Sequence, residues 1–151
     1  MSPQVAERIT LAGQAGARSP IATHHLVCYP QLALAIKHYM RDDPVHCTRL
    51  VAQTVAHLSE LTDPADIAAF HLRPPTTGDP HWNNLIRGVA AHTWATSGRR
   101  ESLNWTRTAA TATSFWTPVE SPAWRNWNLV QTPSALRDRG VIYPRSWLET
   151  V

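Results

Sequence analysis

The prolines of this chain decide what it can fold into. There are twelve, and many directly follow Ser, Thr or Asp: Ser2-Pro3, Ser19-Pro20, Asp43-Pro44, Asp63-Pro64, Asp79-Pro80, Ser121-Pro122 and Thr132-Pro133. Proline breaks a helix interior because it lacks an N–H and its ring clashes with the preceding turn. It fits the first helical position, where the N–H would have no partner. A Ser, Thr or Asp just before it supplies the N-cap oxygen. Each such dipeptide therefore starts one helix and forbids its predecessor from continuing. The expected fold is mainly α, a compact single domain spanning 1–151 and built from several short proline-delimited helices.

The apolar spacing fills in the segments. A short helix over about 3–15 is expected to stop at Gly16, and the stretch from Ser19 to Tyr29 is ambiguous. Pro30 opens a helix with Leu32, Ile36, Tyr39 and Met40 near one face. Val45, Leu50, Val51, Val55 and Leu58 make the next one amphipathic, and Ile67, Phe70 and Leu72 supply a third. Arg73-Pro74-Pro75-Thr76-Thr77-Gly78 forbids helix altogether. Beyond it Trp82, Leu85, Ile86, Val89 and Ala90 form the strongest stripe, over about 80–96, with Asn84, Arg87 and Ala91 opposite; Ser97-Gly98 closes it. Two short helices are expected after Pro122 and Pro133, the second ending at Gly140. Val141-Ile142-Tyr143 reads as extended, and a last turn covers 144–148.

The break at 73–78 separates two halves of one fold, 1–75 and 76–151. Six of the eight histidines lie in the first, and all seven tryptophans lie in the second. The first half is charge-balanced, with six basic and six acidic residues; the second carries eight arginines against five acids. Lys37 is the only lysine. Arginine binds carboxylates and phosphates bidentately and stacks on aromatic rings, although a GC-rich genome favours it everywhere. Trp82, Trp94, Trp105 and Trp116 recur at about eleven residues, but their flanks do not match, so a repeat architecture is rejected. No apolar run is long enough to span a bilayer, and MSPQVAERIT does not read as a signal peptide. A cytoplasmic location is expected, with Cys28 and Cys47 as free, buried or half-buried thiols.

No catalytic signature is complete. His24-His25-x-x-Cys28 with His46-Cys47 lacks the paired spacing of a zinc site, and neither cysteine sits in a nucleophile motif. No metal, cofactor or enzymatic activity is expected. Residues 11–26 partly match a helix-turn-helix, in which Arg18, Ser19, Thr23 and His24 would meet base edges; two ordinary short helices explain the same pattern. In the second half, tryptophan and arginine are the residues enriched at protein-interface hot spots. Trp124-Arg125-Asn126-Trp127 is the most interface-like stretch. On a helix Trp124 and Trp127 would share a face while Arg125 and Asn126 project away. Trp124, Arg125 and Trp127 are the candidate partner-binding residues.

Thr77-Gly78-Asp79-Pro80-His81-Trp82-Asn83-Asn84-Leu85, with the Trp-rich connector and Thr132-Pro133-Ser134-Ala135-Leu136-Arg137-Asp138-Arg139-Gly140-Val141, resembles small actinobacterial proteins. Some of these are encoded beside nucleotidyltransferase-like toxins as their antitoxins. The resemblance covers about 76–151. It implies a protein that binds and neutralises a partner toxin enzyme; the alternative is a helix-turn-helix-like DNA-binding regulator.

Overall fold

The computed structural model describes residues 28–99, 101–107 and 114–149. The expected helix over 3–15 and the segment 11–26 lie outside them. The described chain is mainly helical. In order it forms α1 (Tyr29–Tyr39), α2 (Pro44–Ser59), α3 (Pro64–Phe70), α4 (Pro80–Thr96), a 3-10 turn (Asn104–Thr106), a second (Pro122–Trp124), α5 (Arg125–Val130), α6 (Ser134–Arg137) and a third 3-10 turn (Arg145–Leu148). No described helix is long and apolar enough to cross a membrane.

The three Asp-Pro pairs act as helix starts in the expected way. The Asp43 carboxylate accepts the His46 N–H at 3.0 Å, Asp63 accepts that of Ala65 at 2.8 Å, and Asp79 accepts those of His81 and Trp82 at 2.8 and 3.1 Å. Each such cap is worth about 1 kcal/mol. Thr132 departs from the pattern. Pro133, not Thr132, is the N-cap of α6, and the Thr132 hydroxyl instead donates to the Asn128 carbonyl at 2.7 Å and accepts the Tyr143 N–H at 2.8 Å.

α4 is the central helix. It packs against α1, α6 and the Asn104–Thr106 turn, while α2 packs on α1 and on Arg145–Leu148. The predicted stripe Trp82, Leu85, Ile86, Val89, Ala90 is buried, and it joins Tyr29, Leu32, Ile36, Val51, Phe70, Leu136 and Tyr143 in one core drawn from both halves of the chain. Because α4 is covered on several sides, Asn84, expected on the solvent side, is buried too; its side-chain oxygen accepts from Arg87 at 3.1 Å. Gly88 faces α6 so closely that a Cβ there would meet the Leu136 side chain at 2.7 Å and its Cα at 3.1 Å.

Gly140 ends α6 at φ +73°, a conformation open to glycine. Its N–H reaches the Arg137 carbonyl at 2.9 Å, and the Val141 N–H reaches that of Leu136 at 3.1 Å. This is the paired bonding of a Schellman motif. It turns Val141 back onto Trp116 in a parallel bridge, with Trp116 N–H to Gly140 O at 2.9 Å and Ile142 N–H to Trp116 O at 2.8 Å.

Three expected core positions are corrected. Tyr39 is exposed beside His38 and His46, because the buried stripe of α1 runs through Tyr29, Leu32, Ala33 and Ile36. Val45 is exposed, because α2 buries Cys47, Val51, Thr54 and Leu58. Leu72 is exposed, because α3 ends at Phe70 and His71 turns inward instead.

Candidate docking surface

The tryptophans divide by burial. Trp82 and Trp94 are in the interior. Trp105, Trp116 and Trp147 are half-buried against the core. Trp124 and Trp127 stand 61% and 60% exposed. Two of these indoles are tied down: Trp94 Nε1 donates to the Glu101 carbonyl at 2.7 Å and Trp105 Nε1 to that of His71 at 2.9 Å. Trp116 stacks on His81 with centroids 5.1 Å apart and meets Trp82 edge-on at 5.3 Å.

The exposed pair belongs to a distinct excursion. From Ser114 to Gln131 no residue is buried. The excursion is pinned at one end by the Trp116–Val141 bridge and at the other by Thr132 on Tyr143 and by the Arg145 N–H on the Gln131 carbonyl at 3.0 Å. Between these anchors Pro122 starts a 3-10 turn that runs into α5. The result presents Trp124, Trp127 and Val130, the last 67% exposed, with Phe115 also outward. Val119 of the same excursion closes one side of a mostly apolar groove of about 600 Å³, whose other walls are the outer face of α2 (Val45, Thr48, Ala52) and Trp147.

Arg125 does not project freely. Its Nη1 lies 3.1 and 3.0 Å from the two carboxylate oxygens of Glu120, and its Nη2 donates to the Phe115 carbonyl at 2.6 Å. The guanidinium staples three points of the excursion together. Glu120 and Arg125 are the only charged residues between 114 and 131, so the segment that carries the two indoles has no net charge. The signal for this was the sequence separation of Glu120 and Arg125, five residues, but proline and a turn lie between them, and helical spacing could not expose it.

The other candidates fall elsewhere. Arg18, Ser19, Thr23 and His24, with His25, lie outside the described residues. Cys28 and Cys47 are free and buried. Burial, reinforced by the Asp43 charge, pushes the Cys47 thiol up to about 11, so it is protonated at neutral pH and a poor nucleophile. Among the described residues no three His, Cys, Asp or Glu side chains are grouped to hold a metal ion.

One buried polar chain was not anticipated. Tyr29 Oη lies 2.7 Å from Thr93 Oγ1, which lies 2.8 Å from His71 Nε2; His71 Nδ1 lies 2.8 Å from the Ile67 carbonyl. A carbonyl only accepts, so Nδ1 carries the proton and Nε2 accepts from Thr93, which in turn accepts from Tyr29. The Tyr29, Thr93 and His71 side chains are all buried, which gives the chain a structural role inside the core. No protein-family model, no curated protein and no solved structure matches this sequence.

Proposed function

We propose that this protein is an interaction module, antitoxin-like in its role, that docks a partner protein through the Trp124–Trp127 surface. The reading rests on one observation: two indoles three residues apart, each about three-fifths exposed, on an excursion with no fully buried residue that is anchored at both ends. Keeping two tryptophans in water leaves a large apolar area unburied, and a pinned, stapled presentation lowers the ordering cost a partner must overcome. Tryptophan is the residue that most often dominates interface energetics. The neutrality of the segment that carries the pair favours a protein surface over nucleic acid, whose binding needs cations against phosphates.

The test is co-expression with the products of neighbouring genes, followed by affinity purification and a growth-rescue assay. We expect one neighbour to be toxic alone, to be rescued by this protein and to co-purify with it. Trp124→Ala and Trp127→Ala should each weaken the complex by about 2 kcal/mol or more and abolish rescue. If no neighbour is toxic, or if the double variant still rescues, the proposal fails.

A further inference from the structure

A second feature of the molecule points to a ligand of different chemistry. The loop Arg73–Thr76, the first turns of α4 and Trp105 enclose a small pocket of about 130 Å³, lined by Arg73, Thr76, Asn83 and Arg87 among its polar groups. No carboxylate is among the described residues that line it. The hydrogen bonds already made in its walls decide what the remaining polar groups can do. Thr76 Oγ1 accepts two N–H groups, from Gly78 at 3.0 Å and from Asn83 Nδ2 at 3.0 Å. Its two lone pairs are thereby filled, and what remains is its O–H. Asn83 Oδ1 is occupied by the Thr77 N–H at 2.9 Å and by the Thr77 hydroxyl at 2.7 Å, which leaves the amide's second N–H. The Arg87 Nη1 donates to Asn84 Oδ1 at 3.1 Å, and its other N–H groups have no partner among the described residues. Arg73 is exposed at the rim.

The side chains around this pocket are therefore set as donors, two of them cationic, against the low-dielectric walls of Pro74, Pro75, Ile86 and Trp105. We infer that the pocket binds a single oxyanion, of the phosphoryl type, between Arg73 and Arg87 with the Thr76 hydroxyl as a third donor. Arginine matches a tetrahedral phosphate with paired N–H groups. The volume is well below the roughly 300–1,000 Å³ of sites that enclose a whole drug-sized ligand, so the group enters and anything attached to it stays outside. The site does not depend on the Trp124–Trp127 reading.

The experiment titrates the full chain with inorganic phosphate, with AMP and with acetate, at ionic strength held constant by chloride, and follows both the thermal midpoint and the ³¹P line width. We expect phosphate or AMP, and not acetate, to raise the midpoint and broaden the resonance. Tighter binding of AMP than of phosphate would identify the anion as a group borne on a larger molecule; equal binding would identify the free ion. Arg73→Gln, at an exposed position, should weaken binding about tenfold, the loss expected for a charge-assisted hydrogen bond, while Arg49→Gln on α2 should leave it unchanged. A midpoint that responds to phosphate no more than to chloride overturns the inference. So does an equal loss in both variants, which would mean non-specific attraction to a basic surface.

Discussion

His71 is where burial and titration meet most directly. In the unfolded chain its imidazole titrates near 6.5; in the folded protein burial pushes it down to about 4, a shift that the bond to the Ile67 carbonyl only partly opposes. Between those values the unfolded chain takes up a proton that the native state refuses, so the stability linked to His71 is intact above pH 6.5 and is lost as pH falls towards 4. A gap of that size corresponds to about 3 kcal/mol. Urea unfolding at a series of pH values should show the effect, and His71→Gln should flatten the slope in that window by close to one proton. An unchanged slope would mean that His71 titrates normally and is not sealed in. Thr93→Val should be costly at every pH, by about 2 kcal/mol or more, because it strands both the Tyr29 hydroxyl and His71 Nε2 in the core. Neither partnership was legible in the sequence: Tyr29, His71 and Thr93 lie on three different segments. Nothing in local spacing says which histidine will be carried inside.

Among the elements, the contact of α4 with α6 yields the sharpest prediction. Alanine has the better helix propensity, so Gly88→Ala would by itself stabilise α4 by about 1 kcal/mol. Its Cβ, however, would meet the Leu136 Cα at 3.1 Å, and backbone cannot rotate away. Overpacking of this kind costs about 1–3 kcal/mol, so a net loss is expected, read as a lower urea midpoint with an unchanged m-value; a gain in stability would mean that α6 can move off α4. Capping tests a feature that the sequence did show. Asp79→Ala should cost about 1 kcal/mol, because the Asp79 carboxylate holds two N–H groups of α4. The helix starts were legible because Asp-Pro encodes a cap and a first turn within two residues. The stripe of α4 was legible because five apolar positions agree on one face. Thr132-Pro133 misled because the same pair of residue types can tie a helix to a distant strand-like segment, and only the position of Tyr143 decides between the two. Thr77–Leu85, one of the two stretches on which the resemblance rests, holds residues whose hydrogen bonds turn the chain into α4.

At the scale of the molecule, the two halves that composition distinguishes share one core, so the tryptophans sort by depth rather than by sequence. The exposed pair could be singled out in the sequence because no apolar stripe was available to bury it. The role of Arg125 could not, since its partners Glu120 and Phe115 come close only once the excursion is folded. Stability and docking should therefore be separable in this protein. Trp82→Ala removes a core indole and should cost about 3–5 kcal/mol. Trp124→Ala and Trp127→Ala remove exposed side chains that are not packed in the core and should each shift stability by no more than about 0.5 kcal/mol. Fluorescence gives an independent reading of the same division. In the native protein Trp124 and Trp127 should supply the red-shifted, acrylamide-quenchable part of the emission, and the double variant Trp124→Phe, Trp127→Phe should lose that part while keeping the shielded remainder and the urea midpoint. If instead the double variant unfolds at a much lower urea concentration, the two indoles are holding the fold together and the surface they form is not free for a partner.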